Sequence, residues 1–398
     1  MTAASDLEVA HIVRLYGEEF RRTHRLCRAQ LRALEAIEDC RTAALGGHVD
    51  RCDECGAEKI SYNSCRNRHC PKCQSLDKER WLETRRGELL PVPYFHVVFT
   101  LPEELNVLAM GNPKVVYDLL FRCASETLLT IAADPKHLGA RIGILAVLHT
   151  WSQTLLLHPH LHCIVPGGGL SSDGQRWVAG SERFLLPVRV LTRMFRGKFL
   201  AGLKDIHQEG RLSLSGEAEA LRDPFRFRDF LDGLYRKVWM VYSKPPFGGP
   251  EQVLSYLARY THRVALSNRR LVGLEDDRVT FTYKDYRQES QVREMTLSAE
   301  EFLRRFLLHI LPDRFVRIRH YGLFANRRRE KDLEQCRSLL GVEPPATEPS
   351  AREDWQSVVL RVTGRDPTLC PECGRGHLHR VQELAPFAEA ASAGRSPP

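Results

Sequence analysis

Leu155-Leu-Leu-His158-Pro159-His160-Leu161-His162-Cys163-Ile-Val165, closed by Pro166-Gly-Gly-Gly169, is the stretch on which the reading of this 398-residue chain turns. The run is apolar and partly β-branched, so it reads as a buried strand with a hard stop at the Pro-Gly segment. Side chains alternate along a strand, which sends His158, His160 and His162 one way and Leu161, Cys163 and Val165 the other. The i, i+2 rise is about 6.5–7 Å, short enough for two imidazoles to converge on one ion at roughly 2.0–2.2 Å each. Pro159 has no N–H to give to a ladder, which puts His158 at the start of the strand and makes it a candidate third ligand. The competing reading is a core strand whose histidines only satisfy hydrogen bonds. Three on one face of a run with no other charge argue against it.

About ninety residues further on stands Tyr256-Leu-Ala-Arg-Tyr260. Pro250 suits a first helical turn and Glu251 is favourable there, and no Gly or Pro interrupts Glu251 to Leu266. Leu254, Leu257, Ala258, Thr261 and Ala265 recur at helical steps and form one weakly polar stripe. At about 100° per residue, Tyr256, Tyr260 and Arg263 fall on the opposite side, away from the packing face. A tyrosine pair at this spacing offers two phenols from one helix face. A phenol (unperturbed pKa about 10) must lose its proton to attack phosphorus well, and a divalent ion on His160 and His162 could polarise a scissile phosphate. Arg259, Arg263, Arg269 and Arg270 crowd the same segment with no acid between Tyr256 and Arg270, which suits a phosphate backbone.

Cys52-Asp-Glu-Cys55-Gly56 and Cys70-Pro-Lys-Cys73 are two Cys-x-x-Cys knuckles separated by fourteen residues. That spacing predicts one tetrahedral four-thiolate structural zinc site built from Cys52, Cys55, Cys70 and Cys73. His48, Cys65 and His69 lie close enough to substitute or to hold a second ion; a redox dithiol is the alternative, but it explains one knuckle at a time. Cys65 to Arg86 holds seven Lys/Arg against three acids, so the module reads as touching DNA as well as stapling a small fold. Near the end, Cys370-Pro-Glu-Cys373-Gly-Arg-Gly-His377-Leu-His379 suggests a site of two cysteines and two histidines, although the loop between the last ligands is cramped; a zinc-ribbon remnant or a disordered tail is the alternative.

Taken together, these motifs resemble a known family. The His-hydrophobe-His strand with a downstream Tyr-x-x-x-Tyr helix is similar to the HUH superfamily of rolling-circle endonucleases. The wider pattern resembles the two-tyrosine transposases of the insertion sequence 91 family. The matching segments are Cys52-x-x-Cys55, Arg68-His-Cys-Pro-Lys-Cys73, Pro93-Tyr-Phe-His-Val-Val-Phe-Thr-Leu-Pro102, His158-Pro-His-Leu-His-Cys163, Tyr256-Leu-Ala-Arg-Tyr260-Thr-His-Arg-Val-Ala265 and Ile318-Arg-His-Tyr-Gly322, covering residues 20–330 or so. The resemblance implies His160 and His162 as ligands of a catalytic divalent ion (magnesium or manganese) and Tyr256 and Tyr260 as nucleophiles. For the third ligand it offers no secure match; His158 and Gln153 are candidates and His149 a more distant one. It further implies nicking and transfer of single DNA strands through a 5′-phosphotyrosine link, acting on single-stranded or locally melted element ends, with host replication machinery as a partner for rolling-circle copying.

Composition agrees with a DNA-handling protein. The net charge of +8 mildly favours a polyanionic partner, and Arg304 to Lys331 carries nine Lys/Arg and two acids. No apolar run approaches the roughly 20 residues that span a membrane, and cysteine usage reads as metal sites in a reducing compartment, so a cytoplasmic, nucleoid-associated protein is expected. The expected fold is α+β: an antiparallel sheet with flanking helices, preceded by a small cysteine-rich zinc-binding domain. The expected division is residues 1–85 for helices and the zinc module, 90–332 for the catalytic domain and 340–398 for a partly disordered tail with a candidate zinc knuckle. Expected elements are helices within 1–45 (Ile12, Leu15, Phe20, then Leu31, Leu34, Ile37), strands at Phe95–Thr100 and Ile144–His149, helices within Glu103–Ala133, strand-like structure over Trp177–Val190, a helix over Arg226–Val241 and a turn at Pro245–Pro250. A hairpin is expected at Leu271–Leu274 and Val279–Tyr283, and a helix capped at Ser298. Two other functions compete with strand transfer: a zinc hydrolase using His158, His160 and His162 to activate water, and a non-catalytic zinc-finger DNA-binding protein.

Overall fold

A computed structural model gives the architecture and describes residues 7–181, 185–247, 252–253, 265–286, 288–342 and 354–387. Its contacts divide the chain into two units, one made of residues 1–80, 262–310 and 347–398, the other of 81–261 and 311–346. This departs from the division expected from sequence. Residues 262–310 and the C-terminal segment belong with the N-terminal cysteine region, so that unit is assembled from three separate stretches of chain.

In the first unit, α1 (Val9–Thr23) and α2 (Arg28–Asp39) are followed by β1 (Gly47–Cys52) and β2 (Glu58–Tyr62). Val9, Ile12, Val13 and Phe20 bury one face of α1, whereas Leu15 is 67% exposed. Leu15 lies off the stripe that Val9 and Val13 define, which is why a reading from Ile12 and Phe20 alone misplaced it.

The second unit begins at Trp81, within α3 (Gln74–Arg86). Its strands are β3 (Tyr94–Thr100), β4 (Ala140–Arg141), β5 (Gly143–Trp151), β6 (Leu157–Pro166), β7 (Gly168–Ser171), β8 (Trp177–Ala179) and β9 (Met240–Phe247). The helices are α4 (Asn106–Gly111), α5 (Pro113–Ala133), α6 (Val188–Gln208) and α7 (Pro224–Arg236). Returning to the first unit, β10 (Leu271–Glu275), β11 (Arg278–Asp285) and β12 (Gln291–Ser298) form a three-stranded antiparallel sheet. The helix Ala299–Leu307 follows, capped as expected by the Ser298 hydroxyl, which accepts from the Glu301 backbone N–H. The strand β13 (Ile318–Gly322) belongs to the second unit, and β14 (Leu378–Leu384) lies in the first, where it pairs with β1 in the order β14-β1-β2.

The five-stranded sheet of the second unit has the order β13-β5-β6-β3-β9, with β6 in the middle and every neighbouring pair antiparallel. Phe95, Val97 and Phe99, with Leu161, Cys163 and Val165 and with Ile144, Ala146 and Leu148, line one face. They pack with Val116, Leu120, Phe121 and Leu128 of α5 and Phe195, Phe199 and Leu203 of α6 in the main core. Burying a large apolar side chain stabilises by about 1.5–3 kcal/mol, so this shared core fixes the register of all three central strands. The opposite face carries the histidines and, further along, Tyr94, Leu145 and Ile164 of a second apolar cluster.

The Pro-Gly run ends β6 at Pro166 as expected; β7 then starts at Gly168 in a separate sheet, where Gly169 lets the backbone lie where a Cβ would come within 2.4 Å of the Arg141 carbonyl oxygen. Other expectations gave way. Among the described residues of the region read as strand-like, only Trp177–Ala179 is strand, and Leu191, Phe195, Phe199, Leu203 and Ile206 recur at helical steps and bury α6. The helix α7 stops at Arg236, and β9 then runs through Pro245 and Pro246, which an edge strand tolerates. No described helix is long and apolar enough to cross a membrane.

Candidate metal centre and cysteine clusters

The histidine site grows from strand pairing. His149 on β5 stands directly opposite His160 on β6, and His162 follows two residues along the same face. One ligand atom from each of His149, His160 and His162 lies within 4.8 Å of the others. The ring centroids are 4.4 Å apart for His149–His162, 4.8 Å for His160–His162 and 5.5 Å for His149–His160. His149 and His162 are 2% and 8% exposed, in the middle of the sheet.

Their ring nitrogens are oriented. His160 Nδ1–H donates to the His158 carbonyl oxygen at 2.6 Å, which leaves Nε2 with its lone pair directed elsewhere. His162 Nδ1 is 2.8 Å from Nε2 of His96 on β3, and the two rings stack with centroids 5.0 Å apart. That hydrogen bond fixes the His162 ring and again points to Nε2 as the ligand atom. Trp151 stacks on His149 at 4.5 Å. Burial pushes His160 down to about 4 and His96 to about 3, with Lys244 adding to the effect at His96, and it drives His162 well below the ordinary histidine value. At neutral pH these imidazoles are uncharged, the form that binds metal.

Of the residues expected from sequence, His160 and His162 are brought together. His158 is not in the group; its carbonyl orients His160 instead. Gln153 lies in the turn joining β5 to β6, and the third member is His149, the most distant candidate. His96 was missed altogether. The register that places it beside the His strand follows from β3 pairing with β6, which a single strand's pattern does not reveal. Tyr256 and Tyr260 lie outside the described residues.

The cysteines regroup. Cys70 and Cys73 do not join Cys52 and Cys55 in one site: Cys40, Cys65, Cys70 and Cys73 form one cluster, and Cys52, Cys55, Cys370 and Cys373 another. In the first, the Sγ atoms of Cys40 and Cys73 are 3.2 Å apart, those of Cys65 and Cys73 3.5 Å and those of Cys70 and Cys40 3.7 Å. Four sulfurs each about 2.3 Å from one centre would sit about 3.8 Å from one another. The single-site expectation failed because it counted only Cys-x-x-Cys pairs, whereas Cys40 ends α2 and Cys65 lies in the loop after β2. His377 and His379 are in neither cluster; both engage Asp53, through the His377 backbone N–H at 2.7 Å and the His379 Nε2 at 3.2 Å. His48 is taken by Asp50 at 3.2 Å.

The basic tract is partly structural as well. Arg304 and Arg305 pair with Glu301, Arg319 with Asp118 and Arg329 with Glu88.

An α+β protein with a trio of histidines on an antiparallel sheet in its second unit, and two four-cysteine clusters in its first, is the class these observations define. Residues 143–331 match the family model described as a putative transposase, and residues 12–101 match the transposase zinc-binding domain. The chain is 54% identical over 382 residues to the putative transposase y4qJ of Sinorhizobium fredii, covering 96% of each. It is 27% identical over 351 residues to the transposase for insertion sequence element IS801 of Pseudomonas savastanoi pv. phaseolicola, covering 84% of this chain and 79% of that one. The chain belongs to the insertion sequence 91 family of transposases. No solved structure matches it. The cluster of Cys40, Cys65, Cys70 and Cys73 falls inside the matched zinc-binding domain and supports a structural zinc ion there.

Proposed function

We propose that this chain nicks single DNA strands and transfers them through a 5′-phosphotyrosine intermediate in rolling-circle-type transposition. The observation that carries the reading is the convergence of His149, His160 and His162 on two paired strands. A divalent ion held there, magnesium or manganese, would supply positive charge beside the scissile phosphate. The protein's own part is positional. The His158 carbonyl and His96 hold the His160 and His162 rings, and burial keeps them unprotonated.

In the proposed step the phenolic oxygen of Tyr256 or Tyr260 attacks phosphorus. A P–O(Tyr) bond forms as the P–O3′ bond breaks, and the phenolic proton is accounted for on the departing 3′ oxygen. The phosphodiester linkage is conserved, so attack by another 3′ hydroxyl rejoins the strand. A second tyrosine permits a second cleavage before the first link is resolved. Val253, three residues before Tyr256, belongs to the apolar cluster that includes Tyr94, Leu145 and Ile164 of the face carrying the histidines, which supports assigning the tyrosine segment to this centre. Arg259, Arg263 and Arg269 suit phosphate contacts, whereas Arg270 donates to the Thr282 carbonyl at 2.7 Å, and the zinc-binding unit offers a further basic surface for DNA.

Transposition of a marked element in cells tests the proposal. Tyr256→Phe and Tyr260→Phe each lower its frequency, and the double substitution abolishes it. A double variant that still transposes would refute the nucleophile assignment.

A further inference from the structure

We propose that Cys52, Cys55, Cys370 and Cys373 form a second structural zinc site, a clasp that fastens the C-terminal segment to the N-terminal sheet. This site needs residues that lie beyond both matched family regions, which end at residues 101 and 331. It rests on thiolate geometry and holds whether or not the phosphotyrosine reading is right.

Two sequence segments of the same form make it: Cys52-Asp-Glu-Cys55-Gly56 and Cys370-Pro-Glu-Cys373-Gly374. Each folds as the same knuckle. Gly56 N–H donates to the Cys52 carbonyl at 3.1 Å and Gly374 N–H to the Cys370 carbonyl at 3.0 Å. Gly56 and Gly374 have φ of +71° and +66°, a left-handed turn that glycine adopts without strain. The two knuckles face each other, with Cys52 and Cys373 sulfurs 3.8 Å apart and Cys55 and Cys370 sulfurs 3.8 Å apart. Those are the edges of a tetrahedron about a zinc ion, where Zn–S is about 2.3 Å, and nearly twice the length of a disulfide, about 2.05 Å.

The surroundings are built to bring the knuckles together. A Cβ at Gly376 would lie 2.5 Å from Cys52 Sγ and 2.7 Å from Asp53 Oδ1, so only glycine allows this approach. Gly376 N–H donates to Cys373 Sγ at 3.4 Å, a bond that favours the thiolate. Asp53 accepts from the His377 backbone, and its backbone N–H donates to the His377 carbonyl at 3.1 Å. Beyond the knuckle, β14 pairs with β1 from Cys52↔Leu378 to Gly47↔Leu384. The residues of β14 are largely exposed, so little apolar burial holds this strand in place. A metal ion at its base supplies what the packing lacks.

Zinc counting on the whole 398-residue protein, by elemental analysis under reducing conditions, tests the clasp. Cys370→Ser/Cys373→Ser and Cys52→Ser/Cys55→Ser each lose one zinc per chain, and the quadruple variant loses no more than either. Cys70→Ser/Cys73→Ser loses a different one. Retention of all zinc by Cys370→Ser/Cys373→Ser, or loss of two by the quadruple variant, would overturn the site. A second measurement uses unaltered protein, so it does not depend on variants folding. Cys55 is exposed, as is Cys27. With zinc bound, Cys55 should be alkylated about tenfold or more slowly than Cys27, and Cys52, Cys55, Cys370 and Cys373 should become reactive together on chelation. Alkylation of Cys55 at the rate of Cys27 with zinc intact would equally overturn it.

Discussion

In the sheet unit, His149 and His160 face each other across one strand pair, held by a core that runs beneath β3, β5 and β6. In the cysteine unit, each set of four sulfurs is gathered from distant points: Cys40, Cys65, Cys70 and Cys73 in one, and the widely separated pairs Cys52–Cys55 and Cys370–Cys373 in the other. The histidines are positioned by packing that exists before any ion arrives. Cys40 ends α2, but the other cysteines sit on or beside short strands and loops, and the strands β2 and β14 are largely exposed. On the proposed assignments, a metal site would follow from the fold in one region and help to make it in the other.

Metal removal should separate the two regions most strongly. Structural zinc contributes apparent binding free energies of about 10–16 kcal/mol, so its chelation should unfold the cysteine unit. Amide exchange followed by mass spectrometry would then show protection lost in β1, β2 and β14 and kept in β5 and β6. Equal loss in both would erase the contrast. Next in size are the histidines. His149→Ala or His162→Ala should weaken Mn2+ binding more than about 100-fold, and His96→Ala by about 10–100-fold through loss of the His162 ring's hydrogen bond. His96→Gln, which keeps a hydrogen-bonding group, should recover part of that affinity at unchanged thermal stability; no recovery would make His96 a packing residue only.

A further contrast is in pH. His96 and His160 are held down to about 3 and about 4 by burial, against an unfolded value near 6.5. The folded state binds fewer protons than the unfolded one between these values. Stability from the neutral rings is therefore full above about pH 6.5 and declines as pH falls toward 4. Urea unfolding of chelator-treated protein at pH 7.5, 6 and 5 should show the midpoint of the sheet unit falling. A midpoint independent of pH would contradict the buried neutral histidines.

The histidine strand, its neighbour at Phe95–Thr100 and the capped helix after Ser298 were legible because each is specified locally, by alternation or by a capping residue. What was not legible depended on partners. His149 is one histidine in an apolar strand until the β5–β6 register sets it opposite His160, and His96 gains meaning only from β3 lying beside β6. The cysteine pairing failed for the same reason: adjacency in sequence joined Cys52–Cys55 to Cys70–Cys73, whereas the repeated Cys-x-Glu-Cys-Gly form at 52–56 and 370–374 carried the clue to the true grouping. The strand β12 was unreadable because its side chains are mostly exposed and show no clean alternation.

The most direct test is incubation of the protein with labelled single-stranded DNA from the element's own ends, with Mg2+ or Mn2+, resolved on a denaturing gel. The expected result is a metal-dependent covalent protein–DNA adduct, absent from Tyr256→Phe/Tyr260→Phe and strongly reduced in His149→Ala. Metal-dependent cleavage with no adduct would make water the nucleophile and contradict strand transfer through tyrosine.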